Sequence, residues 1–277
     1  MNIRKGIFNF LTLQNTIVHR NYFRNFTQSS KQHMLREHNK MKNARANYFI
    51  CIPLSSHKTV VEELVQVQNH VIGKYDMLKE CAIEKNKFHI SLLILHIKKS
   101  QLETSKEAFH DAMHEIKKIT HQPISFDKLE TFRNDVLYLG LKESSQNYIM
   151  NIITLLRNSF IRRGIQIVTN SRSAKDDAKK KILPNSLTEK ANVTSSIINT
   201  SKDKEEHITP HLTIMKNSYV RKIYANRKPL IFPDYYADVN LSKLQNENVI
   251  LNKIQFLEMD TDLSTLYYRV IAECDLP

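Results

Sequence analysis

The sequence predicts an α+β fold, and three observations carry that expectation. Short β-rich runs and longer helical runs follow one another irregularly, unlike the strict alternation of a parallel doubly wound sheet. At 277 residues and 41% hydrophobic content the chain can bury a substantial core. No apolar run reaches the ~20 residues that span a bilayer, so no membrane span is expected.

The folded region is expected over 46–277, behind a leader of different composition at 1–45. "NYFICIPL" opens it as a strand that ends at Pro53, a residue poorly tolerated inside a central strand. Val60, Val61, Leu64, Val67, Val71 and Leu78 then recur at helical spacing. "KFHISLLIL", residues 87–95, reads as the next strand, and Ala108, Phe109, Ala112, Met113, Ile116 and Ile119 mark a second helix. "ISFDKLETF" and "DVLYLGL" are strands about a turn at Arg133 and Asn134. Ile149, Ile152, Ile153, Leu156 and Phe160 mark a third helix that Gly164 can terminate, and "IQIV" follows as a short strand. Residues 170–206 turn polar and lose periodicity, the pattern of a long mobile insertion. Strands resume at "HLTIM" and close with "ILNKIQFLEM" and "LYYRVIAECDL".

Charge and cysteine usage narrow the function classes. A formal charge of +13 favours a polyanionic partner such as a nucleotide, RNA or an acidic surface. Cys51, Cys81 and Cys274 are far apart and form no C-x-x-C pair, which argues against a disulfide framework or a cysteine-rich zinc site. From Met1 to His38 the only carboxylate is Glu37, while basic and hydroxyl residues are frequent. That is the composition of a mitochondrial transit peptide, and "RNFTQS" fits the R-x-F-x-x-S processing pattern through Arg24, Phe26 and Ser29. Import into the mitochondrial matrix is the expectation. A disordered basic arm, with the protein in cytoplasm or nucleus, is the alternative.

One pattern occurs twice. "FHIS" (Phe88–Ser91) and "PHLT" (Pro210–Thr213) each place a histidine, an apolar residue and a hydroxyl residue on a strand. With a side-chain period of two, His89 and Ser91 share one face and Ile90 takes the other; His211, Thr213 and Leu212 divide in the same way. If the strands are neighbours, two imidazoles and two hydroxyls converge on one cleft. Such a set suits phosphodiester chemistry: a neutral imidazole takes a proton from the attacking group, and an imidazolium protonates the departing oxygen. The hydroxyls of Ser91 and Thr213 can donate to the phosphate oxygens as charge develops. No metal or cofactor is required. Which histidine is base and which is acid stays open.

The paired H-x-[ST] motifs resemble those of the 2H phosphoesterases, most closely the central nucleotide-binding domain of A-kinase anchoring protein 7. "NYFICIP", "FHISLL", "TFRNDVLYLGL", "SRS", "PHLTIMK" and "YYRVIAEC" follow that domain's segments in order over residues 46–277, apart from the polar insertion. The resemblance implies a bilobal fold, two pseudo-symmetric antiparallel-sheet lobes with outer helices and a central cleft. It also implies metal-independent cleavage of 2′,5′-linked oligoadenylate or related short RNA phosphodiesters, with His89, Ser91, His211 and Thr213 as the catalytic set.

Two departures from the resemblance matter. The insertion separates Ser171–Arg172–Ser173 from the second motif, which weakens the assignment of Arg172, Ser173 and Thr209 as substrate-binding residues. Arg221, just after that motif, is a further candidate phosphate contact. Secondly, the relatives' kinase-anchoring helix lies beyond the domain, so no kinase anchoring is expected, and the protein is expected to act as a monomer. A non-catalytic AMP- or CMP-type nucleotide-binding module is the alternative function, and an RNA-bound scaffold is a third.

Other residues invite chemistry but have plainer explanations. His110 and His114 have a metal-compatible i, i+4 spacing without a third ligand, as expected of a solvated helix face. His96, seven residues after His89, is expected on the opposite strand face. Phe88, Phe132, Tyr219 and the Tyr235–Tyr236 pair can stack on a base, but most strand aromatics fill cores.

Overall fold

The computed structural model describes residues 45–168, 209–222 and 229–277. The polar tract 170–206, with Arg172 and Ser173, lies outside the described residues, as do the leader up to residue 44 and the side chain of Arg221.

Among the described residues eight strands form one antiparallel sheet: β1 Tyr48–Pro53, β2 His89–His96, β3 Phe126–Phe132, β4 Val136–Leu141, β5 Gln166–Ile167, β6 His211–Lys216, β7 Lys253–Asp262 and β8 Tyr267–Asp275. Their spatial order is β3-β4-β6-β2-β1-β7-β8, with β5 paired to the far end of β2. The two expected lobes are therefore halves of one sheet. They meet at a seam between β2 and β6 where Ile90 pairs with Leu212.

Helices α1 (Lys58–Lys74), α2 (Leu102–Ile116), α3 (Glu143–Arg162) and the short α4 (Ser242–Asn246) cover one face. α1 packs on the β6 half, while α3 packs on β2 and α2 on β8. The main core contains the inward stripe of each helix together with Ile90, Leu92, Leu212 and Ile214 from the seam strands. α3 ends as its glycine predicts. Gly164 takes φ +68°, its N–H donates to Ile161 C=O (2.9 Å), and Ile165 N–H donates to Phe160 C=O (3.0 Å), the paired bonds of a Schellman motif.

The helical reading through Leu78 is corrected. α1 stops at Lys74, Tyr75 is extended at φ −154°, and Leu78 reaches the core from a 3-10 turn, Asp76–Cys81. Its apolar spacing continues because the turn faces the same core, not because the α-helix does. Likewise Ile119 lies past the end of α2.

Both seam strands carry a bulge three residues after their histidine. Ile50 pairs with Leu93 and Cys51 with Ser91, leaving Leu92 as an extra residue. Leu137 pairs with Met215 and Tyr138 with Thr213, leaving Ile214 as the extra residue. Two consecutive residues then face the core in each strand, Leu92–Leu93 and Ile214–Met215, and the alternation changes phase. The carbonyl of Ile214 is satisfied by Ile83 N–H (3.0 Å) and by the buried Gln68 amide (2.9 Å), which also donates to Ile83 C=O (2.8 Å).

Candidate active site

The face opposite the helices carries the chemistry. Ile90 and Leu212, both fully buried, anchor the seam from beneath. Antiparallel register about that pair sets His89 toward Thr213 and Ser91 toward His211. The sequence-predicted quartet thus comes together, each motif related to the other by a local two-fold.

The two imidazoles are held in the same way. His89 Nδ1 lies 2.7 Å from the carbonyl of Lys87, and His211 Nδ1 lies 2.8 Å from the carbonyl of Thr209. A carbonyl oxygen only accepts, so each Nδ1 carries hydrogen and each Nε2 is the working nitrogen. Ser91 Oγ, 3.2 Å from His89 Nε2, can donate its hydroxyl hydrogen to that lone pair. Thr209, expected as a substrate contact, acts here through its main chain, orienting the histidine two residues on.

Each imidazole also has two aromatic neighbours. His89 meets Phe49 (centroids 5.2 Å) and Tyr268 (6.0 Å, near perpendicular). His211 meets Phe132 (4.9 Å) and Tyr138 (5.0 Å), which are themselves stacked at 4.2 Å. Phe49 belongs with Cys51 and Leu257 to a small apolar cluster on this face, packed further by Ile94, Met259, Tyr267 and Tyr268. Phe132 sits at the end of β3, where Arg133 (φ 53°) and Asn134 (φ 57°) turn the chain and Asp135 N–H donates to Phe132 C=O (2.9 Å). Positive φ at both turn positions, one of them an arginine, is uncommon outside type I′ turns.

Burial controls the protonation of both histidines. Desolvation pushes His89 down to about 4, opposed by its bond to Lys87 C=O and reinforced by the charges of His211 and Lys216. His211 is lowered by burial too, opposed by its bond to Thr209 C=O and reinforced by Lys216. Both imidazoles are therefore neutral near pH 7.

Lys216 is the residue that the sequence reading missed. Alternation from His211 would turn an odd-numbered offset of five to the far face, but the bulge at Ile214 returns Lys216 to the histidine face. The same shift corrects the placement of His96. The bulge at Leu92 moves Ile94 into the cluster beside Phe49, and hence His96 onto the same face as His89. His110 and His114 line a surface depression with Asp111, Glu115 and Arg162, away from the seam. Among the described residues no group of three or more histidine, cysteine or acidic side chains is arranged to hold a metal.

A protein-family model described as "AKAP7 2′5′ RNA ligase-like domain" matches residues 46–276. Similar solved structures include TT0787 of Thermus thermophilus, at 12% identity over 83% of this chain and 97% of that one, TM-score 0.47. LigT of E. coli complexed with NADP+ is 13% identical over 84% of this chain and 99% of that one, TM-score 0.43. The MHV ns2 PDE domain is 16% identical over 62% of this chain and 84% of that one, TM-score 0.40. No curated protein matches the chain.

Proposed function

The chain belongs to the AKAP7 2′5′ RNA ligase-like domain family of 2H phosphoesterases, and from that premise we propose that it is a metal-independent phosphodiesterase acting on 2′,5′-linked oligoadenylate or a related short RNA. The observation that carries this reading is the pair of histidines at the seam, each with Nδ1 tied to a main-chain carbonyl and Nε2 left to act.

In this scheme His89 serves as the base and His211 as the acid. The attacking group is the neighbouring 3′-hydroxyl or a water. Its proton passes to His89 Nε2 as its oxygen bonds to phosphorus. The bond from phosphorus to the departing oxygen breaks, and that oxygen takes the proton of His211 Nε2. His211 acquires the proton when the phosphate anion enters, since a neighbouring negative charge favours the imidazolium. Internal attack leaves a 2′,3′-cyclic phosphate and a free 5′-hydroxyl; water attack leaves a phosphomonoester. Thr213, and Ser91 once it turns from His89, donate to the non-bridging oxygens. Lys216 adds a positive charge on the same face, favourable to the anion and unfavourable to premature protonation of either histidine.

The decisive experiment incubates the purified protein, in chelator, with 2′,5′- and 3′,5′-linked oligonucleotides and 2′,3′-cyclic ends, and identifies the product ends. Cleavage of the 2′,5′ linkage that disappears in His89→Ala and His211→Ala supports the reading. Substrate left intact at high enzyme concentration counts against it. Import into the matrix is proposed on the composition of residues 1–45, and fusion of those residues to a fluorescent reporter tests it. A monomeric state is part of the same proposal and is read by sedimentation.

A further inference from the structure

The two histidines each have a pair of aromatic neighbours, and the pairs differ in exposure. On the His89 side, Phe49 is 4% exposed, and the ring of Tyr268 is capped by the Lys87 ammonium, 5.6 Å from its centroid. On the His211 side, Phe132 has one ring face on Tyr138 and is 38% exposed. Tyr138 is itself buried and fixed by donating its hydroxyl to Glu130 (3.0 Å), so it backs Phe132 from a set position. The turn that follows at Arg133–Asn134 fixes the end of β3, and Ile231 N–H donates to Asn134 C=O (2.8 Å).

Exposure alone does not single out Phe132, since other apolar side chains are more exposed. What does is its place edge-on to His211, with one ring face backed by Tyr138 and the other open. We propose that the open face of Phe132 is the platform for a nucleobase, that of the nucleoside whose oxygen departs beside His211. The substrate is then a diester whose leaving group bears a base, and the enzyme reads the presence of that base through stacking, which tolerates any base identity. This inference rests on the phosphodiesterase reading of the site.

Three 2′,5′-linked dinucleotides separate the platform from the chemistry: an intact diadenylate, one abasic on the leaving side, and one abasic on the attacking side. In the wild type, loss of the leaving-side base should lower kcat/KM about tenfold, through KM more than kcat, whereas loss of the attacking-side base should matter less. In Phe132→Leu the preference for the leaving-side base should collapse toward unity, and in Phe132→Trp it should persist or grow. A Phe132→Leu defect of the same size on all three substrates, or one that tracks the attacking-side base, would overturn the platform. If the wild type cleaves none of them, the phosphodiesterase reading fails; stacking is then read by titration with adenosine monophosphate. Weaker binding by Phe132→Leu, restored in Phe132→Trp, would keep the platform, and unchanged binding would remove it. Thermal melting of both variants, expected within a few degrees of wild type, separates these effects from misfolding.

Discussion

Ile90 and Leu212 are paired across the one seam between the two halves of the sheet, and each is flanked by a histidine and a hydroxyl residue on the other face. The pair converts two distant sequence motifs into one constellation. Its members contribute nothing to the chemistry, yet the spacing of the histidines depends on their staying in register.

Removing either imidazole should remove turnover. His89→Ala and His211→Ala are each expected to lower kcat by ~10²–10⁴-fold, the usual contribution of a positioned acid or base. The double variant should lose little more, because the two act as a unit. Single-turnover kinetics measures this, with circular dichroism checking that the fold is kept.

The pH profile should be bell-shaped and centred on the acid side. The proposed mechanism needs one neutral and one protonated imidazole, and in the free protein both are lowered from 6.5, His89 to about 4. The kcat/KM profile, which reports the free enzyme, should therefore peak below pH 6.5. Bound phosphate raises both affinities for the proton, so the kcat profile should lie at higher pH. A kcat/KM maximum above pH 7 would contradict the burial of these histidines.

Lys216→Met should move that profile predictably. The ammonium lowers both imidazoles, so its removal raises them and carries the acid limb of kcat/KM to higher pH. KM should rise as well, since the incoming anion loses an attractive charge, and Lys216→Arg should restore both. Profiles measured at two ionic strengths test the Coulombic origin, because salt weakens the effect only in the variants that keep a charge.

Stability should carry the same signature. His89 binds its proton less readily folded, at about 4, than unfolded, at 6.5. Between those values the unfolded chain holds more protons, so stability is complete above pH 6.5 and is lost as pH falls toward 4. His89→Gln should flatten that part of the curve of denaturation midpoint against pH.

Gln68→Leu tests the support beneath the second bulge. The amide serves two buried carbonyls, those of Ile83 and Ile214, and a methyl group serves neither. Loss of both bonds is expected to cost ~2–3 kcal/mol, read from urea denaturation. Partial loss of activity should accompany it, because Ile214 adjoins Thr213.

Much of this arrangement was legible in the sequence, and the rest was hidden for identifiable reasons. Strand periodicity placed His89 with Ser91 and His211 with Thr213, and the repetition of the motif outweighed the commoner explanation of a lone core histidine. The order of elements, the turn at Arg133–Asn134 and the stop at Gly164 could also be read locally. The bulges could not. An extra residue inside an apolar run such as Leu92–Leu93–Ile94 looks the same as continuous strand, so the changed faces of His96 and Lys216 escaped a period-two reading. The end of α1 escaped for a related reason, since a 3-10 turn can carry Leu78 into the core at helical spacing. Phe49 and Tyr268 come from strands far apart in the chain, and Phe132 and Tyr138 from one hairpin; only the sheet order brings the first pair to His89 and the second to His211.

Position 87 is a lysine and position 209 a threonine, two residues with nothing in common as side chains, yet they perform one task. What they lend to the histidines is a carbonyl oxygen, and every amino acid has one. Tautomer control in this site is thus indifferent to side-chain substitution at either position. It leaves no trace in residue identity, and it can be lost only by moving the backbone.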